Sequence, residues 1–196
     1  MRWKFRLHKK YPSSQRHFEI NVDVQSNSDN LVLFGPSGSG KTQILKMLSG
    51  LVHADKGLIQ MNGAELWNSD TGMNLSPQAR GLAYVFQEYA LFPHLTVIQN
   101  IAFALNKSWF NQNYHQTIPL VEEWLDKLQL RHIAHQLPHQ ISGGQSQRVA
   151  LARAIMSQPK ALLLDEPFAS LDDHLRKSLR LELADLQKQI GIPMIL

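Results

Sequence analysis

Residues Gly35-Pro36-Ser37-Gly38-Ser39-Gly40-Lys41-Thr42 fill every position of the phosphate-cradling pattern G-x-x-x-x-G-K-[ST]. Gly35, Gly38 and Gly40 permit the tight turn in which backbone N–H groups converge on phosphate oxygens at the start of a helix. Lys41 adds a point charge near the β- and γ-phosphates, and the Thr42 hydroxyl is placed to hold Mg²⁺. The flanks supply the context that the motif needs. Leu31-Val32-Leu33-Phe34 reads as a short apolar strand, and Ile44, Leu45, Met47 and Leu48 are spaced like the buried face of a helix. Strand, loop and helix in that order make nucleotide binding the leading expectation.

At 196 residues the chain fits one domain, or one core with a modest subdomain. No apolar run is long enough to span a bilayer, so a membrane role would run through a partner. The absence of cysteine excludes disulfides, thiolate zinc sites and cysteine nucleophiles, and is compatible with the cytosol. A net charge of +4 could serve a nucleic acid, but the positive residues are spread along the chain. They read as a solvated surface, and no nucleic-acid partner is expected.

Near the N-terminus Arg2, Lys4 and Arg6 alternate with Trp3, Phe5 and Leu7, as in a strand with one charged face and unlike the apolar core of a signal peptide. Phe18, Ile20, Val22 and Val24 alternate as a second strand. A further strand pair is expected at Gly57 to Met61 and Leu82 to Phe86, separated by a polar surface excursion from Asn68 to Arg80. From Thr96 to about Leu130 the spacing of Val97, Ile101, Phe103 and Ala104, then of Val121, Trp124, Leu125 and Leu128, is helical and reads as an insertion. Ser142 is placed as an N-cap for a helix bearing Val149, Leu151, Ala152, Ala154 and Ile155. Ala161-Leu162-Leu163-Leu164 is wholly apolar, as a strand covered on both faces should be. Leu171 to Ile190 reads as a long amphipathic helix that Gly191 can close.

Asp165 and Glu166 stand where that apolar strand ends, and ligands collect at the carboxyl ends of strands in parallel α/β sheets. Asp165 would face the same Mg²⁺ as Thr42, and Glu166 is placed to polarise a water for attack on the γ-phosphate. A second anion-binding surface follows from Ser142-Gly143-Gly144-Gln145 at a helix start, with N–H groups, a hydroxyl and a positive dipole end. One nucleotide does not need two such cradles from one chain. A head-to-tail homodimer, each subunit closing its Ser142 to Gly144 segment over the nucleotide held by the other, uses both.

Taken in order, the Gly35 to Thr42 loop, Gln87 in Val85-Phe86-Gln87-Glu88, Ser142-Gly143-Gly144-Gln145, Asp165-Glu166 and Ser170-Leu171-Asp172 resemble the ABC transporter ATPase family. The likeness covers nearly the whole chain. It implies an α/β fold, with a P-loop NTPase core around a parallel central sheet, an N-terminal antiparallel β-subdomain and a helical subdomain at about 88–157. It also implies ATP and Mg²⁺ as cofactors. Gln87 would touch the metal or the attacking water and couple the site to the insertion, and Asp172 would signal across the dimer. The family stacks adenine on an aromatic residue ahead of the phosphate loop, for which Tyr11 is the nearest candidate.

The segment Tyr89-Ala90-Leu91-Phe92-Pro93-His94-Leu95-Thr96-Val97, with Asn100, resembles that of ATPases serving bacterial importers of small solutes. Exposed apolar residues there would suit a groove for a loop of an integral membrane permease. The implied place is the cytoplasmic face of the membrane, with a periplasmic or extracellular solute-binding protein acting indirectly. Leu33 to Thr42 and Arg80 to Pro93 look most like the molybdate and related oxyanion importers.

Three departures stand out. Ser146 replaces a larger polar or basic residue, and Gln43 follows Thr42 where a second hydroxyl is common. The strand begun at Pro193 to Leu196 would run on to a histidine that contacts the γ-phosphate, so the ABC ATPase domain over 1–196 is expected to be incomplete at its C-terminus. His132, His135 and His139 read as solvated histidines rather than metal ligands. Two alternatives remain: a truncated nucleotide-binding fragment without turnover, and a soluble ATPase of this type acting on nucleic acid or ribosomes.

Overall fold

A computed structural model describes residues 1–12, 18–105, 119–167, 180–181, 183–185, 187–188 and 190–196. Two units divide the chain, one of residues 1–82 with 193–196 and one of residues 83–192.

The first unit is built on an antiparallel sheet. Strands β1 (Trp3–Tyr11) and β2 (Phe18–Ser26) pair along their whole length, from Trp3 opposite Ser26 to Tyr11 opposite Phe18. The other edge of β1 carries β4 (Lys56–Met61), then β5 (Ala64–Asn68) and β6 (Met73–Asn74). The alternation read from sequence sets the faces: Trp3, Phe5, Leu7, Ile20, Ile59 and Met61 are buried, while Arg6 is exposed. Each such side chain contributes about 1.5–3 kcal/mol by leaving water. Gly57, at φ 131, fits where no other residue could, since a Cβ there would lie 1.9 Å from the Arg6 carbonyl oxygen.

The strand before the phosphate loop is shorter than the apolar run implied. β3 covers Asn30–Leu31 and pairs in parallel with β9 (Met194–Ile195). The ladder runs on through Leu33 N–H to the Leu196 carbonyl at 2.7 Å, yet Val32 and Phe34 are 71% and 100% exposed. Only alternate side chains of the run are covered, because a strand shows its two faces to different surroundings.

Helix α1 (Lys41–Ser49) buries Ile44, Leu45, Met47 and Leu48, the face that the spacing predicts. It ends at Gly50, which adopts φ 83 and donates its N–H to the Met47 carbonyl.

The polar stretch 68–80 is not a plain surface excursion. It completes β5, adds β6 and ends in a short helix α2 (Pro77–Arg80), whose Arg80 is 1% exposed. The Arg80 guanidinium donates to the carbonyls of Met47 (2.7 Å), Leu48 (2.8 Å) and Leu75 (3.1 Å), and to Asn74 Oδ1 (3.3 Å). The last carbonyls of α1 draw this cation inward, as the negative end of a helix should.

The expected strand pair 57–61 and 82–86 does not form. β4 joins the antiparallel sheet, whereas β7 (Leu82–Val85) neighbours β8 (Ala161–Leu164), the wholly buried strand.

In the second unit, α3 (Val97–Ala102), α4 (Pro119–Lys127) and α5 (Gly143–Met156) pack together, with Val97, Ile101, Val121, Trp124, Leu125 and Val149 in their core. Thr96 and Gln99 cap α3 reciprocally: the hydroxyl accepts from Gln99 N–H, and the amide oxygen accepts from Thr96 N–H. Thr96→Ala is therefore expected to cost about 1 kcal/mol in urea unfolding. Within the stretch read as helical from Thr96 to about Leu130, α3 gives way to a 3₁₀ turn at Phe103–Leu105, and residues 106–118 lie outside the described residues. Of the expected helix 171–190, residues 180–181, 183–185, 187–188 and 190 are described and helical, and Gly191, at φ 63, donates to the Gln187 carbonyl; Ser170, Leu171 and Asp172 lie outside the described residues.

Candidate nucleotide-binding site

In the first unit the phosphate loop enters α1 through Gly38 and Gly40, at φ 79 and 98, conformations that side-chain-bearing residues avoid. The cap position of α1 is Gly40, which has no side chain, and among the described residues no acid stands in the first turn. The positive end of the helix favours an anion. The Lys41 ammonium folds back over the loop and donates to the carbonyls of Gly35 and Pro36, both at 3.0 Å. Phosphate oxygens would compete for those bonds as charge-assisted acceptors. A Cβ on Gly35 would fall 2.8 Å from Ser39 Oγ, and one on Gly40 would press on Phe18 and Ile20 at 3.0 Å. Ser37 lies between Pro36 and Gly38 in the same turn, and Thr42 is the second residue of α1.

Tyr11 ends β1 beside this loop. Its hydroxyl donates to Gln43 Oε1 at 2.8 Å, Phe18 packs 5.6 Å from its ring, and the Lys9 ammonium lies 5.3 Å above the ring centre. Burial, then the charge of Asp55, raises the phenol pKa. Gln43, a departure from the family pattern, thus has a partner: it anchors Tyr11 to the first turn of α1.

The acids belong to the second unit. Asp165 follows β8, is 4% exposed, and gives its N–H to the Val85 carbonyl of β7 at 3.0 Å. The Tyr84 hydroxyl donates to Asp165 Oδ2 at 2.7 Å. Burial, then that bond and the carboxylate charge, hold the Tyr84 phenol far above its ordinary range. A carboxylate offering hard oxygen donors at a strand end suits Mg²⁺. Glu166 is half-buried and adopts φ 44, a left-handed conformation costing a non-glycine residue about 1–3 kcal/mol. Gln87 is exposed in the turn after β7, so β7 and β8 bring Gln87, Asp165 and Glu166 to neighbouring strand ends.

Helix α5 starts at Ser142, whose hydroxyl accepts from Gln145 N–H at 3.3 Å while Gln145 Oε1 accepts from Ser142 N–H at 2.8 Å. Gly143 is exposed and Gly144 buried. The Ser142 hydroxyl keeps its proton to donate. On the same helix Arg153 reaches the turn after Gln87. It donates to the Tyr89 carbonyl at 2.9 Å and to Asn100 Oδ1 at 3.5 Å, and lies 5.1 Å from the centre of the Phe92 ring. Asn100, fully buried, clamps the same turn through Phe92, Leu95 and Thr96 backbone groups. Leu91 and Phe92 are half-buried, with Phe92 packed 4.3 Å from Phe103, while Pro93 and His94 are exposed. His132, His135 and His139 are all exposed.

Sequence reasoning missed Tyr84, Arg153 and the anchor made by Gln43. Tyr84 stands in β7, two residues before Phe86 and three before Gln87, and carries no motif of its own.

Residues 19–169 match the family model described as ABC transporter. The molybdate/tungstate import ATP-binding protein WtpC of Archaeoglobus fulgidus is 39% identical over 179 residues, which are 91% of this chain and 70% of that protein. The sulfate/thiosulfate import ATP-binding protein CysA 2 of Agrobacterium fabrum is 42% identical over 177 residues, 90% of this chain and 50% of its own length. The spermidine/putrescine import ATP-binding protein PotA of Aliivibrio fischeri is 42% identical over 176 residues, 89% and 45% respectively. The chain thus spans about half the length of the last two. Among solved structures, the dimeric post-hydrolysis state of the ATP-binding cassette MJ0796 bound to ADP and Pi has a TM-score of 0.73 at 25% identity, covering 100% of this chain and 86% of that one. ATPases of this family bind ATP with Mg²⁺ and hydrolyse it to drive transport. With the family match over residues 19–169 and the fold in agreement, this chain belongs to the ABC transporter family as an ATPase domain with import-type relatives.

Proposed function

We propose that this chain is the ATP-binding and hydrolysing part of an importer, energising uptake of a small solute through separate integral membrane permease subunits. The observation that carries the reading is the phosphate loop: left-handed Gly38 and Gly40 lead into a helix start whose cap position, Gly40, has no side chain, under the Lys41 ammonium. In this reading residues 35–42 hold the phosphates, and Thr42, Gln87 and Asp165 hold Mg²⁺. Glu166 takes the proton of the attacking water, and Tyr11 lies against adenine. Magnesium would screen the charge that gathers on the phosphate oxygens.

Ser142, Gly143, Gly144 and Gln145 act on the nucleotide of a second, head-to-tail subunit. Support comes from the MJ0796 cassette, whose structure is described as dimeric. Because Ser142 and Gln145 already satisfy each other, this helix start binds an anion less eagerly than α1 does, which suits a contact made only on closure. The segment 89–97, held by Asn100 and Arg153 within a helical subdomain at about 88–157, would receive the permease. The protein would then sit peripherally at the cytoplasmic face. Among the described residues no helix is long and apolar enough to cross a membrane.

For the solute we propose molybdate or another oxyanion. The likeness of Leu33 to Thr42 and Arg80 to Pro93 to such importers supports this, as do the sulfate/thiosulfate and molybdate/tungstate relatives. A spermidine/putrescine relative is as identical as the sulfate/thiosulfate one, so in this reading other subunits select the solute.

The test is equilibrium binding of Mg·ATP to the purified chain and to Lys41→Ala. The variant is expected to bind about tenfold more weakly, the loss of one charge-assisted contact of roughly 1.4 kcal/mol. Equal affinity would overturn the phosphate-loop assignment.

A further inference from the structure

We propose that Tyr84 is a positioning residue for the metal-binding carboxylate of Asp165, setting how that carboxylate meets Mg²⁺ and tying it to the strand that leads into Gln87. The proposal rests on the assignment of Asp165 to the metal. Strand β7 holds Asp165 at two points: the Val85 carbonyl accepts its N–H at 3.0 Å, and the Tyr84 hydroxyl donates to Oδ2 at 2.7 Å. The first bond fixes the backbone where β8 ends, and the second fixes the rotation of the carboxylate. Tyr84 is itself held, half-buried, with its ring 4.7 Å from that of Phe86.

The chemistry of the donor matters. Mg²⁺ accepts little departure from octahedral order, so a carboxylate that serves it gains from arriving already oriented. A lysine or arginine could orient Asp165, but would also cancel the charge that attracts the metal. A phenol is neutral and takes only one of about four lone-pair positions on the carboxylate. Gln87 follows Tyr84 by three residues, so a shift of β7 carries the Val85 carbonyl, the phenol and Gln87 together.

Tyr84→Phe removes only the hydroxyl. With Mn²⁺ replacing Mg²⁺ and a non-hydrolysable ATP analogue bound, spin-resonance titration of free Mn²⁺ is expected to show about tenfold weaker metal binding in this variant. Analogue affinity in EDTA should be unchanged. On an Asp165→Asn background the same substitution should cause no further loss, because the two residues act as one. 3-Fluorotyrosine at position 84, which retains the hydroxyl, should stay within about twofold of the unsubstituted chain on the same scale. Undiminished Mn²⁺ affinity in Tyr84→Phe, or an equal loss with 3-fluorotyrosine or on the Asp165→Asn background, overturns the proposal. If Asp165→Asn itself leaves Mn²⁺ affinity intact, the metal assignment of Asp165 fails, and the positioning role falls with it.

Discussion

Glu166→Gln is expected to lower the turnover of ATP about 10³-fold while leaving ATP affinity within a factor of two, a barrier change near 4 kcal/mol. Glutamine has the size of glutamate and keeps an acceptor oxygen, but it cannot take the proton of the attacking water. It also imposes the same backbone demand at φ 44, so the strain stored at this position is unchanged. The substitution therefore separates proton transfer from geometry. The measurement is phosphate release under saturating Mg·ATP beside equilibrium nucleotide binding. A variant that turns over within tenfold of the unsubstituted chain would remove Glu166 from the base role. In the head-to-tail scheme the same variant should accumulate as a dimer when ATP is added, seen as a shift in sedimentation.

Arg80→Met should lower unfolding stability by about 3 kcal/mol in urea. Methionine replaces much of the arginine stem, so little of the loss comes from a cavity. The carbonyls of Met47 and Leu48 at the end of α1 lose a charged donor in buried bonds, and that of Leu75 loses one in a part-buried bond. Burial lowers the pKa of this guanidinium, so ending the desolvation of the cation returns part of the cost. A loss below about 1 kcal/mol would mean that the desolvation of the charge nearly offsets its hydrogen bonds.

Much of this architecture could be read locally. The buried face of α1, the covered strand Ala161 to Leu164 and the cap Ser142 all follow from spacing and residue type within a few positions. Arg80 could not be read so. Its partners Met47 and Leu48 lie over thirty residues away, and a cation in a polar stretch gives no local sign of burial. The same stretch hid β6, whose two residues are too few to show alternation. Leu31 to Phe34 reads as a short apolar strand, but β3 covers only Asn30–Leu31 and Val32 and Phe34 are exposed. At the candidate site the motifs supplied the residues proposed to meet the nucleotide. The groups that hold them, Tyr84 for Asp165 and Gln43 for Tyr11, carry no motif and emerge only from strand register and helix phase.

Helix α1 is fastened at both ends, by Gln43 to Tyr11 in its first turn and through Met47 and Leu48 to Arg80 in its last. A rod so fastened resists turning about its axis or sliding when an anion arrives. The freedom that a looser loop would surrender on binding is given up once, during folding, and each nucleotide then meets a cradle already ordered.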